Sequence, residues 1–81
     1  MNRKKYNFGF AIRKLRTDRG IEQKEFAKMV GVSYSMLNMT ENGKRNNPGS
    51  QQLARIADSL KITKQYIFDL AELAPENYKI E

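Results

Sequence analysis

Residues 23–42 read QKEFAKMVGVSYSMLNMTEN, two apolar helical patterns interrupted by a glycine. Phe26, Ala27 and Val30 sit at the spacing of one buried helical face. Gly31 then breaks the pattern, because glycine takes a left-handed turn at low cost. Ser33 is a good cap for a further helix over about 34–42, with Leu37 facing inward. Two helices that cross steeply need a small side chain where their backbones approach. Ala27, four residues before Gly31, supplies it. The second of the two helices needs one apolar anchor, and Leu37, six residues after Gly31, supplies that. The stretch therefore predicts two short helices joined at a tight turn.

Helical spacing recurs along the rest of the chain, and no period-two alternation lasts more than a few residues. Asn7 is placed to cap a first helix that runs to about Arg19. Phe8, Ala11, Ile12 and Leu15 form its inner face, and Gly20 ends it. The second helix runs from Gln23 to Val30. Glu22 stands at its cap position, a poor N-cap whose charge still suits the positive helix end. Asn42 and Gly43 close the third helix, and Lys44 to Gly49 form a loop. Ser50 caps a fourth helix to about Leu60, with Leu53, Ile56, Ala57 and Leu60 inward. Thr63 caps a fifth over about 64–73, with Tyr66, Ile67 and Leu70 inward, and Pro75 ends it. Met29 reads as partly buried and Met36 as a boundary residue. The expected fold class is all-α, a compact bundle of five short helices. It divides into a basic arm (1–6), a domain (7–73) and a tail (74–81).

With 81 residues and 9.4 kDa, the chain fits one small domain and excludes a two-domain enzyme. Cysteine and histidine are both absent, which removes disulfides, thiol catalysis, Cys–His zinc sites and imidazole triads. No metal or cofactor is expected. Asp18, Glu22 and Glu25 read as turn or helix-start charges rather than paired catalytic acids, so no enzyme is expected. No apolar run approaches the roughly 20 residues that span a bilayer, and no membrane partner is expected. The start, MNRKKYNFGF, lacks the apolar stretch of a secretory signal, which points to the cytoplasm and the nucleoid within it. Net charge is +6 and uneven. Residues 1–20 hold seven basic side chains against Asp18 alone, whereas residues 71–81 are net acidic. A basic field of this kind attracts polyanions.

The paired helices, with what surrounds them, resemble the lambda-repressor and Cro-like helix-turn-helix family, often called XRE. The resemblance covers about residues 7–72. It rests on Ile12, Arg13, Leu15 and Arg16 in the first helix, then Gly20, Gln23, Phe26-Ala27, Val30-Gly31-Val32-Ser33 and Leu37. It continues through Glu41-Asn42-Gly43-Lys44, Pro48, Leu53, Ile56-Ala57, Leu60 and Ile67-Phe68. The resemblance implies a third helix that lies in the DNA major groove with its N-terminal half facing base edges. By position, Tyr34, Ser35 and Met39 match the family's base-reading sites, with Ser33 and Asn38 as flanking candidates. Asn38 has the amide that pairs bidentately with adenine, and Met39 and Tyr34 suit thymine methyl groups. Positions 33–40 contain no Arg, Lys or Gln, so an A·T-leaning site is expected. Gln23 matches the family's phosphate contact at the start of helix 2. Asn42, Lys44 and Arg45 match the loop that grips the backbone on the other side. Lys24 and Lys28 either add to that grip or form a solvated face.

The family positions of Arg16 and Glu41 imply an internal ion pair between the first helix and the end of the third. Thr40 departs from the family, which usually has a bulky aliphatic residue there. Arg3, Lys4 and Lys5 form either a DNA-reaching arm or a solubilising tail. Apolar residues Tyr66, Phe68, Leu73, Tyr78 and Ile80 exceed what one helix buries, and some of them suit a dimer face. The resemblance thus implies a sequence-specific regulator of transcription on double-stranded DNA, a repressor acting as a homodimer on a palindrome. Two other roles stay open. One is the DNA-binding antitoxin of a toxin–antitoxin pair, with a toxin as protein partner. The other is the controller protein of a restriction–modification system.

Overall fold

The computed structural model describes residues 6–42 and 48–75. They form five helices: α1 (Phe8–Asp18), α2 (Gln23–Val30), α3 (Tyr34–Glu41), α4 (Ser50–Leu60) and α5 (Lys64–Glu72). No strand occurs among the described residues. The all-α class and the five-helix order follow the sequence pattern, with ends shifted by one residue in α1, α3 and α5.

Local chemistry sets most helix starts. Asn7 accepts from the Phe10 N–H at 2.9 Å, Ser33 from Met36 at 3.0 Å and Thr63 from Tyr66 at 3.1 Å. Ser50 does not cap α4. Gly49 holds that position with no side-chain bond, and Ser50 is the first helical residue. Gly20 (φ +66) and Gly31 (φ +79) both adopt the left-handed turn. Lys61 does the same at the end of α4 with φ +57, which its side chain gave no reason to expect.

The core joins all five helices. Ile12 and Leu15 of α1, Phe26 and Val30 of α2, Leu37 of α3, Ile56 of α4 and Ile67 of α5 are fully buried. α1 packs against α5 and α3, and α2 against α3 and α4. Tyr6 is packed rather than part of a free arm. Its ring centroid lies 5.8 Å from that of Phe8 and 5.2 Å from that of Phe68. The Asn7 N–H also donates to the Ala71 carbonyl at 3.1 Å, which ties the residue before α1 to α5. Two apolar assignments change. Met29 and Tyr66 are exposed, because each lies on the outer side of a short helix whose inner stripe is already filled by its neighbours.

α1 crosses the end of α3 at close range, and Gly9 is the contact point. A β-carbon at Gly9 would clash with the Thr40 carbonyl oxygen and lie 3.1 Å from that of Glu41. Thr40 is fully buried, and its hydroxyl donates to the Met36 carbonyl at 3.0 Å. A small residue on α1 and a compact, internally bonded residue on α3 thus take the space a bulky aliphatic would fill.

Candidate nucleic-acid interface

The turn between α2 and α3 is built by Gly31. Both the Gly31 and Val32 N–H groups donate to the Ala27 carbonyl, at 2.9 and 3.0 Å. That pair of hydrogen bonds at a left-handed glycine ends α2 sharply and lets Ser33 start α3 at once. Ala27, 3% exposed, allows the close approach.

α3 has two faces. Leu37, Thr40 and Glu41 point into the protein. Tyr34, Ser35 and Met39 are exposed, as is the capping residue Ser33, so four of the expected base-reading residues lie on open surface. Tyr34 and Met39 are the most apolar of them, at 44% and 42% exposure. Lys24, on the first turn of α2, places its ammonium 5.8 Å from the centre of the Tyr34 ring. The two helices thus share one outward surface.

The start of α2 differs from those of α1, α3 and α5. Glu22 makes no side-chain cap bond, and among the described residues no side chain accepts from the first N–H groups of the helix. Those groups carry partial positive charge and suit an anion. Gln23 stands at this end.

Behind the surface lies an ion pair. Arg16 Nε donates to Glu41 Oε2 at 2.8 Å, and the second terminal nitrogen of Arg16 donates to Oε1 at 2.9 Å. The other terminal nitrogen reaches the Ile21 carbonyl at 2.7 Å. Glu41 is 1% exposed, so the pair is an internal strut between α1 and α3. Gln23 Nε2 donates to the same Oε1 at 2.9 Å. Asn38 Nδ2 donates to Gln23 Oε1 at 3.4 Å, and Asn42 Nδ2 donates to Asn38 Oδ1.

The structure therefore brings Gln23, Asn38, Asn42, Arg16 and Glu41 into one network, and leaves Ser33, Tyr34, Ser35 and Met39 outside it. Lys44 and Arg45 lie outside the described residues, as do Arg3, Lys4, Lys5, Tyr78 and Ile80. The role of Gly9 does not show in the sequence pattern. Its only signal was a glycine two residues into a helix, where glycine is costly without a packing reason.

Comparison with known proteins agrees with this fold. A family model described as helix-turn-helix matches residues 12–67. The transcriptional repressor RghR of Bacillus subtilis is 36% identical over 56 residues, which is 69% of this chain and 42% of that repressor. Among solved structures, the restriction–modification controller protein C.AhdI of Aeromonas hydrophila superposes with a TM-score of 0.71 at 30% identity. That match covers 78% of this chain and 94% of the controller. The DNA-binding domain of the P22 C2 repressor gives a TM-score of 0.69 at 28% identity, covering 91% of this chain and 96% of that domain. With the motif, the turn geometry and the family match in agreement, this chain belongs to the lambda-repressor and Cro-like helix-turn-helix family.

Proposed function

We propose that this chain binds double-stranded DNA in a sequence-specific way and regulates transcription, as a repressor. α3 enters the major groove with Tyr34, Ser35 and Met39 toward base edges and Ser33 beside them. The observation that carries this reading is the open face of α3 next to the uncapped start of α2. One presents varied side chains for bases, and the other presents amides for a phosphate. Gln23, Lys24 and Asn42 take phosphates, with Lys44 and Arg45 continuing the grip. The exposed Tyr66 and Leu73 on and beside α5 supply a face for pairing two copies on a palindrome. A two-fold dimer sets its reading helices about 34 Å apart, one DNA turn. No helix among the described residues is long and apolar enough to cross a membrane, which is compatible with work in the cytoplasm on the chromosome.

Selection of bound duplexes from a random library, followed by sequencing, tests this. The expected motif is palindromic, with half-sites about ten base pairs apart and an A·T lean. Enrichment of no sequence contradicts the reading. A second reading, controller of a restriction–modification system, is supported by the likeness to C.AhdI over nearly that protein's whole length. Neighbouring restriction and methyltransferase genes would decide for it.

A further inference from the structure

The buried carboxylate of Glu41 sets the direction of three amides in turn. A carboxylate only accepts, so Gln23 must present Nε2 to it. Gln23 Oε1 then faces Asn38, which answers with Nδ2. Asn38 in turn presents Oδ1 to Asn42, which answers with Nδ2. Each amide nitrogen gives one proton to this relay and keeps a second. Gln23 begins α2 and Asn42 is the C-cap of α3, so the relay links the two ends of the surface that flanks the reading face.

Asn38 is the middle link, and this bears on its role. Bidentate pairing with adenine takes both ends of an asparagine amide. Here Oδ1 already accepts from Asn42 and Nδ2 already donates one proton to Gln23, so the protein, not a base, sets the plane in which the amide lies. Its side chain is also half-buried, whereas Tyr34, Ser35 and Met39 are exposed.

We propose that Asn38 is a positioning residue that reads no base. It locks Gln23 to Asn42, so that their remaining N–H donors meet phosphates on both sides of the groove in one register. The proposal rests on the DNA reading above.

The test uses the whole chain, the selected duplex and a panel of duplexes changed one base pair at a time. Asn38→Ala is expected to weaken binding to every duplex by a common factor, about tenfold, the size of one lost hydrogen-bonded link. In wild type, Gln23→Ala and Asn42→Ala should be non-additive in affinity, and on the Asn38→Ala background they should become additive. In the free protein, the side-chain NH2 signals of Gln23 and Asn42 should move toward free-amide shifts when Asn38 is truncated. Asn38→Leu keeps the branched shape of the side chain without its hydrogen bonds and serves if the alanine variant loosens the fold. A loss confined to one base pair overturns the proposal, because it marks direct reading. Additive losses in wild type, or NH2 signals unmoved by truncation, also overturn it while leaving the DNA reading intact. Failure of the wild-type chain to bind any duplex overturns both.

Discussion

Replacing Glu41 with alanine deletes three acceptor contacts at once: two from Arg16 and one from Gln23. Arg16 keeps a single bond, to the Ile21 carbonyl. Its side chain is 12% exposed, so little water replaces the lost carboxylate. Removing one member of a buried pair costs about 3–5 kcal/mol, because the remaining charge is left uncompensated. The lower end applies here, since Arg16 retains its carbonyl partner and some access to solvent. A domain of this length holds roughly 4–12 kcal/mol in total. For domains of this size 1 kcal/mol moves Tm by roughly 4–8 °C, so the variant should melt at least about 12 °C lower. Thermal unfolding followed by circular dichroism measures this. A paired change, Arg16→Met with Glu41→Leu, should recover much of the loss, because no unpaired charge stays inside. The duplex motif selected by Glu41→Ala should match that of wild type wherever the variant is folded. A Tm within about 2 °C of wild type would refute the strut assignment, since even 1 kcal/mol should exceed that shift.

Further outcomes follow from single contacts. Gly9→Ala gains about 1 kcal/mol in helix propensity but forces a β-carbon against the Thr40 and Glu41 carbonyls, which are backbone and yield little. The net result should be a loss of roughly 1–3 kcal/mol by urea unfolding, and a gain would show that α1 and α3 can part cheaply. Lys61→Gly relieves a left-handed backbone that costs a non-glycine residue about 1–2 kcal/mol. Allowing for the greater freedom of glycine in the unfolded chain, stability should rise by about 0.5–1 kcal/mol, and a fall would contradict this. Met39→Ala removes an exposed side chain, so stability should change by less than about 0.5 kcal/mol. Its affinity for the selected duplex should fall by about tenfold at one base step only. A uniform loss across all duplexes would remove Met39 from the reading set.

The helices were legible because the inner stripes repeat at helical spacing and because Asn7, Ser33 and Thr63 stand where caps are needed. The turn was legible because Gly31 combines conformational freedom with Ala27 at the right distance. Spacing could not reveal how the helices approach in space. Gly9 mattered only once α1 crossed the end of α3, and Lys61 turned left-handed with nothing in its side chain to signal it. Tyr66 and Met29 failed as inner residues because a helix of eight or nine residues buries a stripe that neighbours had already filled. At the site, family positions marked Gln23, Asn38 and Asn42 as separate contacts. Their linkage depends on side-chain reach between α2 and α3, which no one-dimensional pattern contains.

In the proposed mode of binding, the α2–α3 surface meets DNA through the open face of α3. Nitrogen-15 chemical-shift mapping of the whole chain, titrated with its selected duplex, tests this most directly. The largest shifts should fall at Gln23 and Lys24 and along Ser33 to Asn42, with α5 changing little beyond any pairing of copies. Shifts centred on α4 and α5, with the face of α3 unmoved, would contradict the account.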